Sequence, residues 1–141
     1  MTTFVCFVVD CTSAFYQTPE REEFYADPAP EWLAARQAAG QDVDVMWKLK
    51  KQLPGRRAAG ARWTDHVRDV HRDLGYERFA AIPTFFRKRG CSVLVEAHMD
   101  DFHGCGRRSD VNEYLDSIAK KLVLKKSEGF TEGCYAHLKR N

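Results

Sequence analysis

The sequence predicts an α+β fold in which an antiparallel sheet carries helices packed on one of its faces. Strand-like apolar runs alternate with amphipathic helical stretches along the chain, in the order β-α-β-α-ββ-α-β. The 141 residues have the length of one domain, and neither an internal repeat nor a long linker divides them. We therefore predict a single domain over residues 1–141.

Three strand-like segments occupy the first part of the chain. Residues 3–9 form an apolar run that predicts a strand buried on both faces and ending at Asp10. Residues 22–26 predict a short strand, and partial alternation over residues 43–50 predicts a half-buried strand. Between the first two strands, residues 12–16 predict one helical turn.

Helical periodicity follows in three places. Residues 31–39 contain good helix formers and stop at Gly40. A second helix, closed by Gly75, is predicted from apolar spacing. Its apolar face consists of Trp63, Val67, Val70 and Leu74. Asp110 is predicted to cap a third helix. The apolar face of that helix consists of Val111, Tyr114, Leu115, Ile118 and Leu122.

A β-hairpin is predicted between the second and third helices. Residues 84–87 and 91–95 are its strands, and Lys88-Arg89-Gly90 is a tight turn between them. The second strand leads to Asp100 and Asp101. Two further short β segments are predicted, at residues 122–125 and 135–138.

The composition indicates an intracellular protein without a membrane partner. No apolar run approaches the ~20 residues that span a bilayer, and the first residues lack the basic stretch of a secretory signal. The five cysteines are scattered, which favours reduced thiols over a disulfide framework. A zinc site of Cys105 with His103 or His98 is the minor alternative, which no CxxC pair supports. His66 and His71 are expected on a helix surface, without a ligand role.

Charge is unevenly distributed along the chain. Residues 1–44 contain eight acidic residues and two arginines, for a net charge of −6, so the remainder carries +8. Residues 45–63 contain six basic residues and no acid. A basic segment of this kind suits contact with a polyanion, and the alternative is a solvated charged face.

Carboxylates follow two of the predicted strands. Asp10 ends the first strand, and Asp100-Asp101 follow the hairpin. If these strands are neighbours, the three carboxylates converge at one sheet edge. Hard oxygen ligands suit Mg²⁺, and two such ions can activate a hydroxyl and stabilise a leaving phosphate oxygen. The alternative is that the aspartates are turn formers.

Four sequence blocks occur in a characteristic order along the chain. They are Val9-Asp10-Cys11-Thr12-Ser13-Ala14-Phe15, then Leu49-Lys50-Lys51-Gln52-Leu53-Pro54-Gly55 with Trp63, then Gly75-Tyr76-Glu77-Arg78-Phe79 with Pro83-Thr84-Phe85-Phe86, and His98-Met99-Asp100-Asp101. In order and spacing they resemble the palm of copia-type retrotransposon reverse transcriptases, with part of the fingers. The resemblance covers roughly residues 4 to 126. It implies a palm-like fold, one part of a right-hand polymerase.

The resemblance implies a role for each matching residue. Asp10, Asp100 and Asp101 would be catalytic, binding two Mg²⁺ ions for which Mn²⁺ can substitute, and the carbonyl of Cys11 would complete one metal shell. Nucleotide binding would fall to Ala14, Phe15, Leu53, Pro54, Gly55 and Met99. Phe15 would exclude a 2′-hydroxyl, and Met99 would touch the primer end. Phosphates of the template or primer would be contacted by Lys48, Lys50, Lys51, Arg56 and Arg57.

The implied partners are a dNTP and an RNA or DNA template with its primer. Residues 127–141 are expected to correspond to a primer-gripping hairpin. The implied location is the cytoplasm, a virus-like particle or the nucleus. The family's remaining fingers, thumb and ribonuclease H segments have no counterpart here, so we expect a piece of a longer polyprotein or a degraded copy.

The sequence also departs from the family's pattern. His98 stands where the family's Tyr-x-Asp-Asp box has Tyr, and the family's Gln and Pro are absent between Gly55 and Trp63.

The function that the resemblance implies is RNA-directed DNA polymerase. The alternatives are a relic that binds nucleic acid without catalysis and an inert fragment.

Overall fold

The computed structural model describes residues 4–125. Its strands are β1 Phe4–Asp10, β2 Tyr25–Ala26, β3 Trp47–Lys48, β4 Glu77–Arg78, β5 Phe85–Arg87, β6 Leu94–His98 and β7 Asp101–Arg107. Its helices are α1 Ala14–Gln17, α2 Pro30–Ala38, α3 Ala59–Asp73 and α4 Arg108–Ala119. No helix within these residues is long and apolar enough to cross a membrane.

A five-stranded antiparallel sheet in the order β1-β7-β6-β5-β4 forms the centre of the fold. Strands β2 and β3 pair in a separate two-stranded sheet. Both β1 and β6 run antiparallel to β7, which lies between them, so β1 and β6 are parallel to each other. The chain passes from β1 through α3 to β4 and β5 before it reaches β6, so α3 lies in the crossover between the parallel strands β1 and β6. The predicted α+β class with an antiparallel sheet is confirmed.

The chain returns to the sheet after α4. Leu124 forms a bridge with Cys11 on the edge of β1 away from β7. The N–H of Thr12 donates to the carbonyl of Val123 over 2.9 Å, and the N–H of Lys125 donates to the carbonyl of Asp10 over 2.8 Å. The predicted β segment at residues 122–125 therefore lies beside β1. The second predicted segment, at residues 135–138, is outside the described residues.

One face of the sheet forms the core with α3 and α4. On β1, Val5, Phe7 and Val9 are buried, whereas Phe4 and Cys6 are exposed. The prediction of a strand buried on both faces is therefore wrong, because only alternate residues point toward the helices. Other buried members of this core are Trp63, Val67, Val70, Phe86, Val95, Phe102, Val111, Tyr114 and Ile118.

His71 lies at the centre of this core, and its prediction as a helix-surface residue is wrong. Its side chain is fully buried and stacks on Phe86 at a ring-centroid distance of 4.2 Å. Nδ1 lies 2.8 Å from the carbonyl of Val67, and Nε2 lies 3.0 Å from the hydroxyl of Tyr114. A neutral ring with its proton on Nδ1 satisfies both contacts, since the tyrosine then donates to Nε2.

The interior strand β7, between β1 and β6, has no counterpart among the strands that the sequence predicts. Its residues include two glycines and end in an arginine, a composition that is poor in strand formers. Gly104 packs so closely that a Cβ there would overlap the ring of Phe7 and the carbonyl oxygen of Leu94. The pairing of β7 with neighbours on both sides, rather than its intrinsic preference, makes it a strand.

Three local predictions need correction. The predicted tight turn at Lys88-Arg89-Gly90 is present, closed by the N–H of Cys91 donating to the carbonyl of Lys88 over 3.2 Å, but the second hairpin strand begins at Leu94 rather than at Cys91, because Arg87 pairs with Leu94. The strand predicted over residues 43–50 is reduced to the exposed pair of β3. Asp110 does not cap α4, which begins at Arg108. Its carboxylate instead accepts the N–H and the hydroxyl of Ser92, at 2.9 and 2.7 Å, and these bonds lower its pKa.

Candidate functional site

Asp10 and Asp101 face each other directly at the end of the β1–β7 pair. The N–H of Cys11 donates to the carbonyl of Asp100 over 2.7 Å, which makes these two residues a hydrogen-bonded pair. Hydrogen-bonded and non-hydrogen-bonded pairs alternate in an antiparallel ladder, so Asp10 and Asp101 form a non-hydrogen-bonded pair, whose side chains are closest. Two carboxylates placed this way repel each other unless a cation or a donor lies nearby.

Asp100 reaches the same edge through a two-residue turn between β6 and β7. His98 pairs with Asp101, which leaves Met99 and Asp100 as the turn. Met99 has a φ of +52°, a left-handed conformation that a non-glycine residue seldom adopts. Strained positions of this kind cluster at functional sites and persist only where the surroundings hold them.

Trp63 supplies that support from α3. Its indole N–H donates to the carbonyl of Met99 over 2.6 Å, while the ring is 2% exposed. The residue lies on the predicted apolar face of the helix, and the resemblance includes it without assigning this contact. A buried indole needs an acceptor for its N–H, which is the only sequence signal for the bond.

Lys125 is a further site residue that the sequence did not suggest. Its ammonium lies 2.7 Å from Oδ2 of Asp10, and this hydrogen bond raises the pKa of the lysine. Oδ1 of Asp10 is buried without a hydrogen-bond partner among the described residues. The lysine is held close because the 122–125 segment is tied to β1, and Gln17 also accepts the N–H of Val123 over 2.7 Å.

The pKa of the buried Cys11 thiol is raised, in part by the negative charges of the neighbouring aspartates. Burial raises the pKa of its thiol to about 12, and smaller contributions in the same direction come from the charges of Asp10, Asp100 and Asp101. The thiol is therefore protonated at neutral pH. The ligand role that the resemblance implies for this residue concerns its backbone carbonyl and not the thiol.

The donor set of this edge suits a hard divalent cation. All three side chains are carboxylates, and although Lys125 pairs with Oδ2 of Asp10, the buried Oδ1 of the same carboxylate has no partner among the described residues. Within residues 4–125, however, no group of three or more His, Cys, Asp or Glu side chains is placed to hold a metal ion. The backbone brings the three aspartates to one edge, and Lys125 holds the side chain of Asp10.

A cavity of about 380 Å³ opens beside Asp100. Its lining is formed by Ser13, Ala14, Phe15, Tyr16, Pro54, Trp63, Met99 and Asp100. Four of the six residues assigned to nucleotide binding from the sequence thus lie around one cavity, and these are Ala14, Phe15, Pro54 and Met99. Leu53 and Gly55 do not line it, although they form the predicted turn with Pro54, in which Gly55 has a φ of +87°.

The five predicted phosphate-binding cations are not equivalent. Lys48 lies 2.5 Å from Glu23, Arg56 pairs with the buried side chain of Glu20, and Lys51 donates to the carbonyl of Gln17 over 3.0 Å. The remaining two, Lys50 and Arg57, are exposed and make no ion pair within the described residues. The sixth basic residue of the segment, Arg62, was not assigned to phosphate binding and pairs with Glu22.

The acidic and basic segments of the chain therefore neutralise each other in part. The pairs join residues 20–23 to residues 48–62, across the connection between β1 and α3. Arg56 also stacks on the ring of Phe24 at 3.9 Å, which fixes its guanidinium. The charge asymmetry of the sequence is smaller on the folded surface than along the chain.

Comparisons with known proteins leave the family open. No family model matches the chain, and no curated protein matches its sequence.

The primer-gripping hairpin predicted for residues 127–141 lies outside the described residues.

Proposed function

We propose that this chain is the palm region of an RNA-directed DNA polymerase similar to those of copia-type retrotransposons. The palm-like character of the sheet, with helices on one face and carboxylates at one edge, is part of this proposal. The observation that carries it is the convergence of two independent sets of residues. The backbone brings Asp10, Asp100 and Asp101 together at the end of the β1–β7 pair, and the cavity lined by Phe15 and Met99 opens beside Asp100.

The proposed reaction is transfer of a nucleotide from a dNTP to the 3′-hydroxyl of a primer. Asp10 and Asp101 would bind divalent cations between their facing carboxylates, with Asp100 contributing from the turn. Two Mg²⁺ ions, or Mn²⁺ in their place, would supply activation of the hydroxyl and stabilisation of the leaving pyrophosphate. The bound cations would also remove the repulsion between the facing aspartates.

The cavity is the proposed site of the nucleotide. Phe15 is half-buried in its wall, where an aromatic ring can exclude a 2′-hydroxyl from the sugar. Met99 is 54% exposed on the strained turn, between the cavity and the aspartates. That position suits contact with the primer end.

The proposed template and primer contacts rest on two cations. Lys50 and Arg57 are exposed and have no carboxylate to neutralise them within the described residues. Lys48 and Arg56 would have to exchange Glu23 and Glu20 for phosphates, which adds a cost to binding. We therefore assign backbone contacts first to Lys50 and Arg57.

Primer extension with matched variants tests the proposal. The full chain is given a DNA primer on an RNA template, dNTPs, and Mg²⁺ or Mn²⁺. Asp100→Asn removes a proposed ligand, whereas Asp116→Asn removes an exposed carboxylate on α4. Extension by the parent chain and Asp116→Asn, but not by Asp100→Asn, supports the proposal. Equal extension by both variants contradicts it.

A second candidate function is nucleic-acid binding without catalysis. It is favoured by the ion pair of Lys125 with Asp10 and by the lack of a ready three-ligand group in the described residues. This function predicts salt-sensitive binding of primer–template that Lys50→Gln and Arg57→Gln weaken and Asp100→Asn leaves unchanged. Binding of this kind without extension in either metal would select it.

A further inference from the structure

Cys6 and Cys105 stand directly opposite each other on β1 and β7. Both are exposed and neither is bonded to another cysteine. Cys6 is four residues before Asp10 on the same strand, so it lies on the same face and at the same kind of ladder position. The pair is outside the candidate site and takes no part in the proposed reaction.

The ladder geometry determines how closely the two thiols approach. Because Cys11 and Asp100 are a hydrogen-bonded pair and the register is unbroken, Cys6 and Cys105 are a non-hydrogen-bonded pair. The Cα atoms of such pairs are about 4.5 Å apart. That separation lies at the short end of the range that a disulfide spans.

Both cysteines are exposed to solvent, and each lies close enough to influence the other. The core residues of β1 point to the opposite face, toward α3 and α4. On the face of the cysteines, a shallow cavity of about 190 Å³ is lined by Cys6, Phe85, Leu94, Glu96, His103, Gly104 and Cys105. Partial burial raises the pKa of Cys105, and the neighbouring Cys6 raises it further.

The remaining described cysteines contrast with this pair. Cys11 is 1% exposed, and burial keeps its thiol protonated by raising the pKa to about 12. Cys91 is partly buried, with its sulfur 3.6 Å from the hydroxyl of Tyr76. Among the described residues, only Cys6 and Cys105 combine exposure with a facing thiol.

We propose that Cys6 and Cys105 form a redox-active dithiol, which a small-molecule disulfide such as oxidised glutathione converts to a cross-strand disulfide. The thiolate of one cysteine attacks a glutathione sulfur, the glutathione S–S bond breaks, and one glutathione leaves as a thiolate. The thiolate of the facing cysteine then attacks the protein sulfur of the mixed disulfide and releases the second glutathione. Two protein thiols are oxidised, one glutathione disulfide is reduced, and the two thiol protons end on two glutathiones.

The inference goes beyond the proposed function and does not depend on it. The disulfide would link the two strands that carry Asp10 and Asp101, on the same face of the sheet and four positions away from these aspartates.

Peptide mapping of the full chain measures the linkage. The reduced protein is incubated with oxidised glutathione, its free thiols are alkylated, and its peptides are analysed by mass spectrometry without reduction. We expect loss of two of the five thiols and a peptide in which Cys6 is joined to Cys105. Retention of all thiols, glutathione adducts on unlinked cysteines, or linkage to a different cysteine would overturn the proposal.

Serine variants test the two-step exchange. Cys105→Ser should stop at a stable glutathione adduct on Cys6, and Cys6→Ser at an adduct on Cys105. Cys91→Ser should form the Cys6–Cys105 link to the same extent as the parent chain. Circular dichroism before and after oxidation checks that each chain is folded. If the Cys6 adduct of Cys105→Ser rapidly lost glutathione by forming a disulfide with another cysteine, the assignment of Cys105 as the partner of Cys6 would be contradicted.

Discussion

Trp63 donates its indole N–H to the carbonyl of Met99 over 2.6 Å, and so ties the central helix α3 to the strained turn that carries Asp100. Trp63→Phe keeps an aromatic ring in the core but leaves the Met99 carbonyl without its donor. We expect a loss of about 1–3 kcal/mol in the free energy of unfolding from the lost bond and the smaller ring. We also expect the KM for dNTP to rise, because the turn borders the proposed nucleotide cavity.

Val70→Ala is the matched control for this helix. Val70 is buried in the same core on α3 but does not line the cavity. Its truncation should destabilise the chain by a similar amount and leave the KM for dNTP unchanged. Denaturant unfolding and primer-extension kinetics separate the two variants, and an equal KM in both would show that the turn does not depend on Trp63.

His71 makes the stability of the fold depend on pH. Burial lowers the pKa of His71 to about 4 from the ordinary 6.5. The unfolded chain therefore binds a proton below pH 6.5 that the folded chain takes up only near pH 4, so stability is full above 6.5 and falls as the pH decreases. The loss is at most about 1.4 kcal/mol per pH unit, or about 3 kcal/mol in total.

Urea unfolding of the parent chain and His71→Leu between pH 7.5 and about pH 4 measures this contribution. The slope of the free energy of unfolding against pH should be smaller in the variant, because it lacks the contribution of His71. The contributions of the carboxylates to this slope remain in both chains. His66 is half-buried and its pKa is also lowered, chiefly by burial, so His66→Gln should reduce the slope less. Identical slopes in the parent chain and His71→Leu would contradict the assignment.

The same histidine shows what sequence reasoning captures and what it misses. The spacing of Trp63, Val67 and Val70 predicts the buried face of α3, and His71 lies on that face by position, four residues after Val67. Histidine is a polar residue type, and the type alone does not predict full burial. Only the packed structure shows that Val67 and Tyr114 satisfy both ring nitrogens.

The candidate site also contains both features that local sequence patterns predict and features that they do not. The sequence places the aspartates at strand ends, and it predicts their convergence only if the first strand and the hairpin strand are neighbours. Those two strands, β1 and β6, are separated by β7, and it is the pairing of β7 with β1 that sets Asp101 opposite Asp10. Strand β7 could not be predicted, because its pairing on both sides overrides its glycines. The contact of Lys125 with Asp10 joins residues far apart in the chain, and no local pattern marks it.

Lys125 is predicted to compete with a divalent cation for Asp10. Lys125→Met removes the ammonium that lies 2.7 Å from Oδ2 of Asp10 and leaves the carboxylate free. Because the ion pair is exposed and screened by solvent, the gain should be modest, and Mn²⁺ should bind roughly two- to fivefold more tightly. Calorimetry or electron paramagnetic resonance of Mn²⁺ measures the change without any need for polymerase activity.

Lys121→Met provides the comparison, because Lys121 is exposed and makes no ion pair within the described residues. It removes the same charge from the surface and should leave Mn²⁺ binding nearly unchanged. Weaker binding by Lys125→Met would show that the lysine positions Asp10 rather than competing for it.

Phe15 is predicted to select deoxynucleotides. Phe15→Val shortens the side chain in the wall of the cavity and opens space beside the sugar. The ratio of kcat/KM for dNTP to that for rNTP should fall roughly tenfold, an effect typical of a single packing contact. Tyr16→Val removes an aromatic ring from the same cavity at a residue that is 53% exposed, and it should preserve the ratio. An equal fall in both variants would assign the selectivity to cavity size alone.

Oxidation of the Cys6–Cys105 pair is predicted to stabilise the folded chain. The disulfide would close a loop of roughly 100 residues, for which the chain-entropy model gives about 4.7 kcal/mol at 25 °C, reduced by any strain in the native sheet. Guanidinium unfolding of the oxidised and reduced forms should therefore give a higher midpoint for the oxidised form. Cys105→Ser, treated in the same way, should show no increase, because a glutathione adduct closes no loop. A midpoint that is unchanged or lower in the oxidised parent chain would mean that strain in the β1–β7 pair cancels the entropic gain.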